Sequence, residues 1–267
     1  MRATNRWAVA ALALVGTLAG AATPAYAIAN GDPVPDGKYP FSVKLTMTGI
    51  PTASGGKRDS ACSGALIAPQ WVITAGHCFR DANGVRVEYP VADLTTATVA
   101  RTDLTGTGGH VLKVVAVRQS ATADVSLARL EKPILDVRPI RVGTQPPEIG
   151  AILRVTGYGS VTSTNPVPST RLRTGQLTVV SVDDSVIGLH GYAPQPNTTP
   201  CPYDSGGPYF AERKGTPILA GVVSNGPSCP HTETENAART DNIAPWIRSV
   251  IWGKDRYSRP TGRPARA

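Results

Sequence analysis

The sequence is poor in aromatic side chains (6%) and in charged ones (17%), and it holds two methionines and four histidines in 267 residues. Glycine (27) and proline (24) are frequent instead. That mixture is ill suited to long amphipathic helices and well suited to many short strands and turns. No two of the four cysteines have C-x-x-C spacing, so neither a zinc site nor a redox pair is expected. Nothing in the composition calls for a metal or a cofactor. Beyond residue 27 no apolar run approaches the ~20 residues of a membrane-crossing helix, and no transmembrane anchor is expected.

Positive charge is concentrated at the two ends. The formal net charge is +8. Arg2 and Arg6 lie near the start, and Lys254, Arg256, Arg259, Arg263 and Arg266 near the end outnumber Asp255. Taking these away leaves +2 on residues 28–252. A nucleic-acid partner would rest on a short tail with one aromatic, Tyr257, so none is expected, and residues 253–267 read as a basic, solvated terminus.

The first residues specify a compartment. Arg2 and Arg6 precede an uncharged, mostly apolar run from Trp7 to Gly20, and Ala25-Tyr26-Ala27 is a small-x-small cleavage site. This is the pattern of a secretory signal peptide over residues 1–27, which makes the protein extracellular and Ile28 the mature start. Four cysteines in an exported chain imply two disulfides, and the residues alone leave three pairings open.

Short apolar and β-branched runs recur along residues 28–252. They include Phe41–Thr46, Ala65–Ile67, Trp71–Thr74, Val85–Tyr89, Val111–Val117, Ile152–Thr156, Leu177–Val182 and Ile218–Val223. Turn-forming residues separate most of them, as in an all-β sandwich or barrel. One helix is expected near the end, where Ile243, Trp246, Ile247, Val250 and Ile251 share a face. Thr240, Asp241 and Asn242 are candidate N-caps, and Gly253 is a stop. The stretch Asn165 to Pro168 fits either a boundary between halves or a surface loop.

Three segments carry chemistry. Thr74-Ala75-Gly76-His77-Cys78 holds a histidine between a glycine turn and a cysteine. A neutral imidazole accepts a proton on one nitrogen while the other is fixed by a partner. Cys201-Pro202-Tyr203-Asp204-Ser205-Gly206-Gly207-Pro208 places a serine before two glycines that permit close substrate approach. It lacks the G-x-S-x-G pattern of an α/β-hydrolase. Asp124 opens the apolar run Val125 to Leu130, and a carboxylate buried there needs a partner such as an imidazole N–H. Taken singly, each also fits a structural histidine, a plain turn or a surface aspartate.

Together these segments resemble the chymotrypsin-like (trypsin-like) serine peptidases. Ile28-Ala29-Asn30-Gly31 is similar to that family's mature start, and Ala61 to Ile67 with Trp71 to Cys78 resembles its histidine region. Asp124 to Leu130, Thr156-Gly157-Tyr158-Gly159, Asp204 to Pro208 and Gly221-Val222-Val223-Ser224 resemble further motifs in the family's order, His–Asp–Ser. The resemblance implies two six-stranded antiparallel β-barrels with a C-terminal α-helix and the active site in the cleft between them. It implies Ser205 as nucleophile, His77 as general base and Asp124 as its orienting partner. It pairs Cys62 with Cys78 and Cys201 with Cys229. The oxyanion hole would use the N–H groups of Ser205 and Tyr203, where relatives carry glycine. The freed amine of Ile28 would pair with Asp204, giving an enzyme active on export without a zymogen stage.

The pocket floor would be Thr199, six residues before the serine, with walls at Ser224, Asn225 and Gly226. An uncharged Thr199 argues against simple cleavage after Arg or Lys. Asn236 would narrow the pocket, and Glu233 and Glu235 read as solvated loop acids rather than inward-facing ones. The expected partner is a peptide or protein substrate, with a protein inhibitor of the cleft as a second class, and the chain is expected to act as a monomer. Two rival readings remain: a catalytically weak relative used as an extracellular binding module, and an unrelated β-sandwich adhesin.

Overall fold

A computed structural model describes residues 27–253. The leader read in residues 1–26 and the basic tail from Lys254 onward lie outside the described residues. The first barrel closes in the order β2 (Ser42–Pro51), β3 (Lys57–Ala68), β4 (Trp71–Ala75), β7 (Val125–Leu130), β6 (His110–Gln119) and β5 (Leu94–Val99). Its strands alternate as a half-solvated sheet requires. On β6, Leu112 and Val114 are buried while Val111 and Val115 face water. Inward-facing Val43, Leu45, Leu66, Ile73 and Leu127 fill the interior.

The second barrel runs β9 (Ile152–Gly157), β10 (Arg173–Val182), β11 (Val186–Ala193), β14 (Glu235–Arg239), β13 (Thr216–Asn225) and β12 (Pro208–Arg213), with β9 closing on both β10 and β12. Leu153, Val155, Leu177, Val179, Ile187, Leu189 and Tyr209 fill it. Two short strands, β1 (Asp32–Pro33) and β8 (Arg141–Val142), attach to β10 and β13. Both expected disulfides are formed, Cys62–Cys78 and Cys201–Cys229. The first closes a loop worth roughly 3 kcal/mol in the chain-entropy account. The proline-rich stretch Asn165–Pro168 falls between β9 and β10, so it is a loop of the second barrel; the inter-barrel connection lies between Leu130 and Ile152.

The helix α1 spans Ala244–Trp252 and stops at Gly253. Its N-cap position is Ile243, without a side-chain cap bond. Asp241 is drawn away by Arg239, whose Nε and Nη2 donate to its carboxylate at 3.1 and 2.7 Å. Val85–Tyr89 forms no strand, only an isolated bridge between Arg86 and Arg80. Its backbone is committed locally: Asp81 Oδ1 accepts from the N–H of Asn83 and of Val85, and the Val87 N–H donates to Phe79 O. Among the described residues no helix is long and apolar enough to cross a membrane.

Candidate active site

The register of β4 against β7 sets the site's first half. Thr74 pairs with Ser126 and Ala75 with Val125, so the residues that follow β4 and precede β7 meet. A single turn of 3₁₀ helix, Gly76–Cys78, carries His77. Asp124 Oδ2 lies 2.7 Å from His77 Nδ1, and Asp124 Oδ1 accepts the His77 backbone N–H at 2.9 Å. Gly76 is needed between them, because a Cβ there would collide with Arg86, Gln119 and Asp124. Two further residues brace the carboxylate. Ser224 Oγ donates to Asp124 Oδ2 at 2.8 Å, and Arg86 Nη1 lies 3.6 Å from Asp124 Oδ1. Arg86 is itself anchored on the carbonyls of Ala123 and Ser120. Burial raises the pKa of Asp124, but the bonds from His77 and Ser224 outweigh it and hold the carboxyl at about 2.

The second half is the turn Cys201–Gly207 ahead of β12. His77, Tyr203 and Ser205 face one recess of about 310 Å³, which also holds Met47, Arg58 and the Cys62–Cys78 bridge. Among the described residues Ser205 Oγ and His77 Nε2 have no hydrogen-bond partner. In substrate-free sites such bonds are commonly long and tighten when substrate arrives. The backbone N–H groups of Tyr203 and Ser205 likewise have no acceptor among the described residues, whereas those of Asp204, Gly206 and Gly207 are all used. Two unused N–H groups two residues apart on one turn are what an oxyanion requires. Tyr203 takes φ = 75°, the left-handed region that glycine adopts freely, at a cost of about 1–3 kcal/mol.

Asp204 holds that turn in place. It is fully buried, and its carboxylate accepts N–H groups from Ile28 (3.2 Å), Gly159 (2.7 Å) and Cys201 (3.0 Å). Burial raises its pKa to about 6 against these donors and the charge of Lys44. Gly157 and Gly159 make room, since a Cβ on either would strike the Asp204 carboxylate. Ser63, on β3, ties both barrels to the turn. Its N–H donates to Ser205 O at 2.8 Å, its Oγ donates to Tyr203 O at 3.1 Å, and its Oγ accepts the Tyr158 N–H at 3.0 Å.

Beside Ser205 opens a second recess of about 240 Å³. Ser224, Asn225 and Gly226 line it, with Pro200 and the Cys201–Cys229 bridge. Thr199 is not among the lining residues: it is fully buried and bonded through its backbone to Ala29. Glu235 lines the recess instead, which corrects its reading as a solvated loop acid. Its side chain is 4% exposed, and its carboxyl packs against Gly226, where any side chain would collide with it. His231 Nε2 lies 3.2 Å away, also buried. Burial lifts the Glu235 pKa to about 8, with the Asp204 charge adding to the effect. Burial also pushes the His231 pKa down. Glu233 is exposed as expected, and Asn236 bonds Asn225 outside the recess.

Barrels paired in this way, with a histidine–aspartate pair facing a glycine-flanked serine, are the architecture of the chymotrypsin-like serine peptidases. The family model for Trypsin matches residues 28–247. The chain belongs to the trypsin family.

Sequence reasoning did not assign Arg86, Ser63 and Lys44 to the site, and it gave Ser224 only a place in the pocket wall. Lys44 did carry a signal: it is the one charge inside the apolar run Phe41–Thr46.

Proposed function

We propose that the protein is a secreted serine endopeptidase acting on peptide or protein substrates. The observation that supports this best is the Asp124–His77 pair facing Ser205 across a recess that also receives two free N–H groups. Ser205 Oγ bonds to the scissile carbonyl carbon as its proton passes to His77 Nε2. Asp124 holds the imidazole in the tautomer that accepts there and stabilises the imidazolium. The carbonyl oxygen becomes an oxyanion held by the N–H groups of Tyr203 and Ser205. The C–N bond then breaks, His77 protonates the leaving amine, and an acyl-enzyme remains. Water, deprotonated by His77, cleaves the ester and returns the proton to Ser205.

A serine-directed phosphonate tests this directly. Labelling of the purified protein, mapped by mass spectrometry to the peptide that contains Ser205, is expected. Labelling at another serine, or none, would sink the assignment. No labelling would favour the binding-module reading, which the strained Tyr203 motivates.

The recess beneath Ser205 is proposed to take the side chain preceding the scissile bond. Glu235 then replaces Thr199 as the group that such a side chain meets. Its raised pKa gives a definite sign: below about pH 8 the carboxyl is mostly neutral, and above it the charged form attracts a cation. The kcat/KM ratio for a lysine substrate over its uncharged norleucine analogue is expected to rise through about pH 8. A charge-assisted hydrogen bond makes the rise about tenfold or more. Taking the ratio cancels any pH effect on the chemical step that both substrates share. Glu235→Gln flattens the profile, and a flat profile in the unsubstituted protein would remove Glu235 from specificity.

A further inference from the structure

Lysine is rarely buried without a partner. Lys44 is 5% exposed, on the stretch of β2 that lies between the two barrels. Val43 and Leu45 fill the first barrel, while Ser42 and Lys44 face the second: Ser42 Oγ lies 2.8 Å from Thr156 Oγ1, and Lys44 Nζ donates to Tyr158 O at 3.0 Å. That carbonyl is all that the ammonium bonds, leaving its charge without a direct ion pair among the described residues.

Where the charge acts is clear from its surroundings. The peptide that accepts from Lys44 through Tyr158 O donates to Asp204 Oδ1 through the Gly159 N–H, at 2.7 Å. One polarised peptide thus stands between the ammonium and the carboxylate, and hydrogen bonds in such a chain strengthen each other. The ammonium also lies 5.8 Å from the centre of the Tyr203 ring, within reach of a cation–π contact. Tyr158 and Tyr203 are joined in turn through Ser63 Oγ. Both of these contacts of the Lys44 head group therefore fall on the segments that shape the oxyanion turn.

Asp204 needs such a charge. A fully buried carboxylate without a counter-ion is costly. Ile28 offers Asp204 its backbone nitrogen at 3.2 Å, and in a chain that still carries Ala27 that group is an amide N–H and not an ammonium. Lys44 is the cation whose charge acts on Asp204, and the coupling is mutual: it lowers the Asp204 pKa while Asp204 opposes the burial that brings Lys44 down to about 8.

We propose that Lys44 is a positioning residue: its buried ammonium is the resident counter-charge of Asp204 and holds the Tyr203–Ser205 turn in its oxyanion-binding form before the Ile28 amine is released. This rests on the peptidase reading above. It means that a chain still carrying Ala27 already has a formed oxyanion hole, and that the Ile28 ammonium, once free, adds a second positive charge to a carboxylate that has one.

The test uses four proteins: Lys44 or Lys44→Met, each starting at Ile28 or retaining Ala27 behind a short extension. With Lys44 present, the Ala27-retaining form is expected to cleave peptides and take up the phosphonate. Losing part of the oxyanion hole, Lys44→Met in that form lowers kcat by about tenfold or more with KM nearly constant. Affinity for a peptide aldehyde, which presents an oxyanion, falls in parallel. In the Ile28-start form the same substitution costs several-fold less. Lys44→Gln, which keeps the bond to Tyr158 O without the charge, serves where methionine prevents folding, and is expected to behave as methionine does. Equal losses in both forms would make Lys44 merely structural and overturn the proposal. So would an inactive Ala27-retaining form with Lys44 intact, or a Lys44→Gln protein as active as the unsubstituted one. These outcomes leave the Ile28-start enzyme active. If that protein itself neither cleaves nor labels, the peptidase reading fails and this inference with it.

Discussion

Replacing Ser205 by alanine is expected to lower kcat by about 10⁶-fold while the melting temperature stays nearly unchanged. The two halves of that expectation have different origins. In the proposed mechanism Ser205 Oγ is the nucleophile, so its removal ends the acyl-enzyme route. Yet the hydroxyl bonds to nothing among the described residues, and its loss leaves no buried group unpaired. The bonds that hold the turn belong to the Ser205 backbone and to Asp204, and alanine keeps them. Slow turnover above water remains, because the oxyanion donors and substrate binding survive. Fluorogenic peptide kinetics beside a thermal melt provide the check. Turnover above a few per cent would place the nucleophile elsewhere.

Asp124→Asn is expected to cost about 10⁴-fold in kcat with little change in KM. Asparagine fits the space, and its oxygen can keep one of the bonds that Asp124 accepts from the His77 backbone and from Ser224. Its NH₂ group, however, is a donor only. Turned towards His77 Nδ1, it favours the tautomer protonated on Nε2, which has no lone pair there for the Ser205 proton. The recess proposed for the substrate side chain is lined by other residues, so binding is expected to be spared. Single-turnover kinetics separate the chemical step from binding. A loss that appears chiefly in KM would mean that Asp124 shapes the pocket and not the base.

Much of the site was legible because its chemistry is local in sequence. His77 sits beside a required Gly76, Ser205 beside Asp204, and Asp124 at the edge of an apolar strand; each neighbour is one that the geometry demands. The pocket was less legible because it depends on register. Asn225 pairs with Asn236 across an irregularity between Val223 and Asn225, and that offset places Glu235 in the recess. A slip of one residue turns a side chain to the opposite face, and counting along the chain does not reveal the slip. Lys44 was hidden for a related reason. On a strand covered on both sides the alternation vanishes, and Ser42 to Leu45 are all buried. Val85–Tyr89 erred the other way: an apolar alternation whose backbone was already committed to a loop, and whose useful residue is the charged Arg86.

Ser63 gives the molecule a mechanical character. Through its amide and hydroxyl, one residue of the first barrel holds the carbonyls of Tyr203 and Ser205 and meets the second barrel at Tyr158. Each barrel is a closed ladder, and the seam between them is packed, with the rings of Phe41 and Phe210 5.4 Å apart in a core that both barrels share. A small shift of one barrel against the other is therefore passed through this residue to the turn. Under the proposed function, the rate of peptide cleavage is then expected to respond to pressure before the barrels unfold, a strain gauge for the cleft.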